Sequence, residues 1–108
     1  MIDKQIVSRE ILLALWKVHI LHHASREGVV GTWMLHELRH HGYEVSPGTL
    51  YPLLRRMEGF GWLECQLEGT GKRARRRYVI TDQGREVLVI VRRQIDELRH
   101  EVPPMEAG

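Results

Sequence analysis

The clearest sign of the fold is the run Ser46-Pro47-Gly48-Thr49-Leu50-Tyr51-Pro52-Leu53-Leu54-Arg55-Arg56-Met57. Ser46 is a favoured residue type at a helix N-cap, and Pro47 fits the first helical position, where its missing N–H costs nothing. Apolar residues then recur at spacings of three and four: Leu50, Leu53, Leu54 and Met57. This is the period of a helix with one buried stripe. We therefore predict a helix whose opposite face is polar and basic.

The exposed face of this helix carries side chains suited to contacting DNA. With the apolar stripe turned inward, Thr49 and Tyr51 are expected to reach base edges or methyl groups. Arg55 and Arg56 are expected to bind phosphates, and Ser46 belongs to the same face at the helix N-terminus. The alternative interpretation is a solvated face with ordinary arginines.

A strongly basic hairpin follows the helix. Residues 63 to 67 alternate apolar and polar side chains, as in a half-buried strand, and a turn at residues 69–71 leads to a return strand at residues 75–80. Arg77 is expected to pair with Glu64 across the hairpin. The other cations are predicted to bind phosphates without reading sequence: Lys72, Arg73, Arg75 and Arg76. A basic solubilising loop is the alternative.

Positive charge is concentrated on this helix and hairpin, although the net charge of the chain is only +2. Residues 39–77 hold eight Lys or Arg against four Asp or Glu, and the rest of the chain holds eight against ten. The two parts therefore carry +4 and −2, respectively. This division places the positive charge where a nucleic-acid surface would lie.

Composition argues against several other classes of protein. No apolar run approaches the roughly 20 residues that span a bilayer, and the N-terminus lacks the pattern of a signal peptide. A single cysteine, Cys65, excludes an internal disulfide and fits a reducing cytoplasm. The sequence has no glycine-rich phosphate loop and no readable catalytic triad. We therefore predict a cytoplasmic protein with no membrane partner, no enzymatic activity and no cofactor.

The remaining segments complete the order of a winged helix-turn-helix. Apolar spacing predicts a first helix at about residues 3–23 and a second at about 32–40, with Trp33, Met34 and Leu38 inward. Residues 25–31 are predicted to form a turn, and Thr81 to cap a last helix. The predicted fold is mainly α, with three helices, a two-stranded wing and a C-terminal helix.

The last helix carries an apolar seam that predicts dimerisation. Its residues alternate spacings of three and four, as in a short coiled coil: Leu88, Val91, Ile95, Leu98 and Val102. Two heptads are weak alone, so we expect the seam to join the first helix in a homodimer interface. We divide the chain into a DNA-binding domain at 1–80, a dimerisation helix at 81–102 and a disordered tail at 103–108.

Several of these segments together resemble the PadR-like family of transcriptional regulators. They are residues 42–58, Gly61-Trp62-Leu63, Arg76-Arg77-Tyr78 and Thr81-Asp82-Gln83-Gly84, and the similarity extends over about residues 10–100. The resemblance implies a homodimeric winged-helix regulator, usually a repressor. Its third helix would enter the major groove, and its wing would contact the minor groove or the backbone. A single C-terminal helix is similar to the short class of this family.

The resemblance also implies a small-molecule effector. Relatives bind planar aromatic or hydrophobic effectors near the dimer interface, so the apolar first helix is expected to line such a site at Trp16 and Ile20. Binding there would change the angle between the first and last helices, and with it the spacing of the two recognition helices. Trp16 as an ordinary core residue is the alternative.

Two further hypotheses stay open at this point. His19 and His23 lie four residues apart on one helical face, a spacing that can chelate a metal in a metal-responsive regulator. No cysteine or carboxylate cluster accompanies them, so structural histidines are the preferred interpretation and no metal site is predicted. The other hypothesis is a winged protein-interaction module without specific DNA binding.

Overall fold

The computed structural model describes residues 1–105 as four helices and a small antiparallel sheet. The first helix, α1, covers residues 4–24 and contains a π-helical turn at Ser8–Leu12. The other helices are α2 (Gly31–His40), α3 (Pro47–Gly59) and α4 (Asp82–Glu101). The strands are β1 (Val29–Val30), β2 (Leu63–Glu68) and β3 (Arg75–Ile80). The mainly helical winged class is confirmed. Within residues 1–105, no helix combines the length and apolar character needed to cross a membrane.

The sheet has three strands in the order β1-β3-β2, one more than the sequence predicts. β2 and β3 form the expected hairpin, with Cys65 opposite Tyr78. β1 pairs with the other edge of β3, where Val29 lies opposite Tyr78. The turn predicted at residues 25–31 is therefore partly wrong. Two residues are too few to show a period of two, so this strand depends on its partner and not on a local pattern.

The core takes up the apolar stripe of α3, as predicted. Its four members are each no more than 1% exposed: Leu50, Leu53, Leu54 and Met57. In α2 the buried residues are Met34, Leu35 and Leu38. The inward placement of Trp33 is wrong, since this residue is 47% exposed and packs edge-on against the ring of His23. Successive helical residues differ by about 100°, so the face that buries Met34 turns Trp33 outward.

Two hydroxyl residues stand at the starts of α3 and α4. Ser46 occupies the N-cap position of α3, but its hydroxyl lies 3.2 Å from the Thr49 hydroxyl and caps no backbone N–H. Thr81 caps α4 as predicted, because its Oγ1 accepts a hydrogen bond from the Gly84 N–H at 3.0 Å. The same hydroxyl donates to the carbonyl of Gly61. The start of α4 is therefore bound to the turn that follows α3.

Close packing between α4 and that turn requires glycine at position 84. A Cβ there would overlap the carbonyl oxygen of Trp62 and the side chain of Ile80. We expect Gly84→Ala to lower the free energy of unfolding by about 1–3 kcal/mol in urea denaturation, as overpacking usually does. Gly59→Ala is the matched control, because a Cβ at Gly59 meets no atom within 4 Å. Equal stability of the two variants would contradict this packing.

Candidate nucleic-acid interface

The exposed face of α3 is bordered by two grooves, one toward the hairpin and one toward α1. The buried stripe of this helix leaves the predicted contact residues at the surface: Ser46, Thr49, Tyr51, Arg55 and Arg56. Residues four or seven positions apart share a helical face. Tyr51 and Arg55 accordingly line the groove toward the hairpin, and Thr49 and Arg56 line the groove toward α1.

We call the groove toward the hairpin the wing-side groove and the other the α1-side groove. The wing-side groove has a volume of about 430 Å³ and lies between the start of α2, the middle of α3 and β3. Four of the predicted DNA contacts line it: Tyr51, Arg55, Arg75 and Arg76. Lys72 and Arg73 lie outside this groove, exposed in the 3₁₀ turn Gly71–Arg73 at the tip of the hairpin. Cations from two elements that are distant in sequence therefore share one surface.

Tyr51 is positioned by a glycine that the sequence analysis did not single out. Gly31 begins α2, and a Cβ at this position would lie 2.6 Å from Cε1 of Tyr51. The ring therefore packs directly on the first turn of α2. Thr32, the next residue, lines the same groove. A glycine near a helix start is too common a pattern to have identified this contact.

One carboxylate, that of Glu68, organises the arginines of the hairpin. Its Oε2 lies 3.4 Å from Nε of Arg75, and its Oε1 accepts a hydrogen bond from Arg77. Arg77 also donates to the carbonyl of Glu27 at 2.9 Å. The hydrogen bond from Arg77 holds the pKa of the Glu68 carboxyl below its usual value, with a smaller contribution from Arg75. Within residues 1–105, ion pairs involve none of the other predicted contact cations: Arg55, Arg56, Lys72, Arg73 and Arg76.

The predicted pair of Arg77 with Glu64 is wrong. Arg77 lies directly opposite Gln66, so Glu64 and Glu68 are both diagonal neighbours in the register of the hairpin. Diagonal neighbours are within reach of long side chains, and register alone cannot distinguish them. Arg77 also donates a hydrogen bond to the carbonyl of Glu27. This carbonyl belongs to the loop before β1, which lies outside the hairpin, so the pattern of the hairpin could not predict the bond.

The α1-side groove has a volume of about 310 Å³ and lies between residues 8–16 of α1 and residues 48–56 of α3. It is lined by Ser8, Arg9, Leu13, Trp16, Gly48, Thr49, Pro52 and Arg56. Nothing in the sequence marks Ser8 or Arg9 as part of this surface. Their approach to α3 depends on how the first helix packs, and no local motif marks it.

The two residues predicted to bind an effector differ in their surroundings. Trp16 is 3% exposed, packs edge-on against Tyr43 at 6.0 Å and lines the α1-side groove. Its indole Nε1–H is buried and finds no hydrogen-bond partner among residues 1–105. Ile20 is fully buried in the core. Of these two residues, Trp16 is the one that lines a groove and that carries a donor with no acceptor among residues 1–105.

The histidines of α1 pack with the end of α2. The Nε2 atom of His19 lies 3.3 Å from the hydroxyl of Tyr43, and its ring lies 4.9 Å from that of His41. The Nε2 atom of His23 lies 3.8 Å from the carboxylate of Glu37, which also accepts a hydrogen bond from His41. Within residues 1–105, no three His, Cys, Asp or Glu side chains are arranged to hold a metal ion. His19 and His23 thus contact different side chains, Tyr43 and Glu37.

These two histidines predict that stability depends on pH. Burial lowers the pKa of His19 and of His23 from 6.5, and the charges of His41 and His22, respectively, lower it further. The folded protein then binds fewer protons than the unfolded chain just below pH 6.5, so the neutral imidazoles favour folding. We expect the free energy of unfolding to fall as the pH decreases below about 6.5, as measured by urea denaturation on both sides of this value.

The control for this pH effect is another histidine of the same chain. His19→Gln should flatten the pH dependence, whereas His36→Gln, at an exposed position of α2, should retain it. If His19→Gln and the wild type lose stability equally on acidification, the assignment is incorrect.

The seam predicted on α4 is divided between the core and the surface. Leu88 is buried inside the single chain at 3% exposure. Val91 and Ile95 are half-buried, and Leu98 and Val102 are exposed, with Val102 just beyond the last helical residue. Further exposed apolar residues lie on the same helix and on the N-terminal part of the chain: Ile2, Ile6, Ile11, Leu15, Val89 and Ile90. Much of the uncovered apolar surface therefore lies on or next to the two terminal helices, and the rest is scattered over single residues such as Phe60 and Leu67.

The sequence of this chain is similar to a protein family and to a known relative. Residues 20–89 match the sequence model of the family described as "Transcriptional regulator PadR-like family". The transcriptional regulator Rv3488 of Mycobacterium tuberculosis (strain ATCC 25618 / H37Rv) is 48% identical over 94 residues, which cover 87% of this chain and 88% of that protein.

Solved structures of similar proteins share the fold. A PadR-like transcriptional regulator from Bacillus cereus strain ATCC 14579 has a TM-score of 0.77 at 32% identity, covering 86% of this chain and 92% of its own. A PadR family transcriptional regulator from Eggerthella lenta DSM 2243 has a TM-score of 0.71 at 33% identity, covering 92% and 90%. The family and these relatives are transcriptional regulators and not enzymes.

Proposed function

The chain belongs to the PadR-like family of transcriptional regulators, and we propose that it acts as a homodimeric repressor that binds an inverted repeat in double-stranded DNA. The observation that carries this proposal is the wing-side groove. Arg55 of α3 and Arg75 and Arg76 of β3 line this one groove beside the exposed face of the helix. Such a surface matches a helix in the major groove whose flanking phosphates are bound by a basic wing.

The contact residues divide into those that read bases and those that bind phosphates. Thr49 and Tyr51, on the exposed face of α3, would contact base edges or thymine methyl groups. Arg55 and Arg56 would bind phosphates beside the helix, and Ser46 would contact a phosphate near the positive end of the helix dipole. The wing would add affinity that does not depend on sequence, through Lys72, Arg73, Arg75 and Arg76.

Dimerisation would use the uncovered apolar surface of the terminal helices. Val91, Ile95, Leu98 and Val102 supply the α4 side, and the exposed residues of α1 supply the other. Leu88 would support the seam from within the core of each protomer. In this proposal residues 1–80 bind DNA, residues 81–102 join two copies, and residues 103–108 form a tail, of which 106–108 lie outside the described residues. Two-fold symmetry then places the recognition helices about 34 Å apart, one turn of DNA.

Release by a small hydrophobic or aromatic effector belongs to the same proposal. The site would be at Trp16 and Ile20, on the part of α1 that contacts the core. A ligand that moved Trp16 would alter the packing of α1 against Tyr43, which precedes α3 in the chain. The resulting change between α1 and α4 would alter the spacing of the two recognition helices and weaken binding to paired half-sites. Because the partner is chromosomal DNA, the protein would act in the cytoplasm.

A mobility-shift titration at two salt concentrations tests this function. A DNA regulator should bind its upstream region saturably, prefer it over bulk DNA, and lose affinity steeply with salt. Binding without preference for any sequence would instead favour a protein-interaction module with a basic surface.

A further inference from the structure

A helix that lies in the major groove runs between two sugar-phosphate backbones, so both of its borders face phosphates. The wing-side groove supplies cations at one border of α3 only. We propose that the α1-side groove binds a DNA backbone phosphate at the other border, and that Arg9 of α1 is a DNA-contact residue. This inference rests on the proposed function, since it assumes that α3 enters the major groove.

The chemistry of the α1-side groove is that of an oxyanion site. Its polar side chains are hydrogen-bond donors, and no acidic residue lines it: Ser8, Arg9, Trp16, Thr49 and Arg56. The guanidinium groups of Arg9 and Arg56 come from two different helices and can approach one phosphate from both sides. A phosphate offers only acceptors at neutral pH, which complements this set of donors.

The indole of Trp16 gives independent evidence for a ligand. Its Nε1–H is the one buried side-chain polar group within residues 1–105 that has no hydrogen-bond partner. Buried polar groups in proteins are nearly always paired, and each exception needs an explanation. Because Trp16 lines the groove that holds Arg9 and Arg56, we assign this donor to a bound oxyanion, which it would meet directly or through water once the buried indole shifts toward the groove.

The position of the groove favours DNA over a free phosphate compound. Its far wall is α3 itself, where Arg56 lines the groove together with Thr49, one of the two residues expected to read bases. Arg9 lies in the π-helical turn Ser8–Leu12, and such turns often occur at functional sites. A contact there would attach α1 to the DNA. The helix with the exposed dimer residues Ile6 and Ile11 would then also contact the operator.

Ethylation interference on a bound DNA fragment tests the proposal, because it identifies the individual phosphates that the protein needs. Wild-type protein should show interference on both strands beside each half-site. Arg9→Gln should remove it on one strand and Arg76→Gln on the other. Arg9→Gln should also weaken binding about tenfold and reduce the salt slope by about 0.9 for each phosphate that is no longer neutralised. Arg85→Gln, at an exposed position on α4 outside both grooves, is the matched control.

Further measurements distinguish a DNA phosphate from a free phosphate compound. They also distinguish failure of this site from failure of DNA binding as a whole. Trp16→Phe keeps an aromatic side chain, makes it smaller and removes the donor, so weaker DNA binding by a variant that is still folded at the assay temperature would support the site. An unchanged phosphate pattern in Arg9→Gln would overturn it. If inorganic phosphate, titrated at constant ionic strength, binds saturably and only through Arg9 while that DNA pattern is unchanged, the occupant is a free phosphate compound. Absence of any DNA binding by the wild type would contradict the proposed function itself.

Discussion

Replacing Arg55 and Arg76 together by glutamine is expected to weaken binding by about a hundredfold at each half-site, and by about ten-thousandfold for a dimer on the whole operator. The two side chains belong to α3 and β3 and line the same wing-side groove. A charge-assisted hydrogen bond contributes about 1.5–3 kcal/mol, or at least tenfold in affinity, and the double variant removes two such bonds from each protomer. Glutamine keeps a polar side chain but is uncharged and shorter than arginine, so the change removes both the charge and the bond that the guanidinium makes to phosphate.

The measurement is a mobility-shift titration of the double variant over a range of salt concentrations. Because the variant dimer would neutralise about four fewer phosphates, the slope of log affinity against log salt should decrease by about 3–4. Arg85→Gln, exposed on α4, should behave as the wild type. An unchanged salt slope in the double variant would show that this groove does not bind DNA phosphates.

Leu98→Glu is expected to convert the proposed dimer into monomers that bind half-sites without cooperation. Leu98 is 57% exposed on α4, so in a single chain the substitution should cost little stability. In a homodimer both copies would place an unpaired carboxylate in an apolar interface. At about 2 kcal/mol for each copy, the dimer dissociation constant should rise on the order of a thousandfold.

Sedimentation equilibrium of Leu98→Glu measures this change directly. The control is Leu67→Glu, because Leu67 is an equally apolar residue, 69% exposed, on the hairpin and not on a terminal helix. This variant should remain dimeric. If Leu98→Glu also sediments as a dimer, another surface joins the protomers, and the proposed division of the chain at residues 80 and 81 is incorrect.

Features specified by neighbouring residues were predictable from the sequence, and features specified by distant contacts were not. The stripe of α3, the cap at Thr81 and the hairpin each follow from spacing within a few residues. β1 exists only because Val29 meets Tyr78, and Trp33 is outside because Met34 and Leu38 fix the rotation of α2.

In the candidate nucleic-acid interface, too, local features were predictable and contacts between distant segments were not. Periodicity placed Tyr51 and Arg55 on the exposed face of α3, and composition identified the basic hairpin. That Arg55, Arg75 and Arg76 line one groove depends on how α3 packs against the sheet. The approach of Arg9 to Arg56 depends on the packing of α1, more than 40 residues earlier in the chain. No local pattern in the sequence predicts either of these two arrangements.

Selection of bound DNA from a random pool is the most direct test that this chain is a dimeric, sequence-specific regulator. The proposed geometry predicts an enriched inverted repeat whose half-site centres lie about 10 base pairs apart, one turn of the double helix. Arg55→Gln should weaken binding to that sequence. Enrichment of a single unpaired half-site would contradict the dimer, and a pool with no enriched sequence would contradict specific recognition by α3.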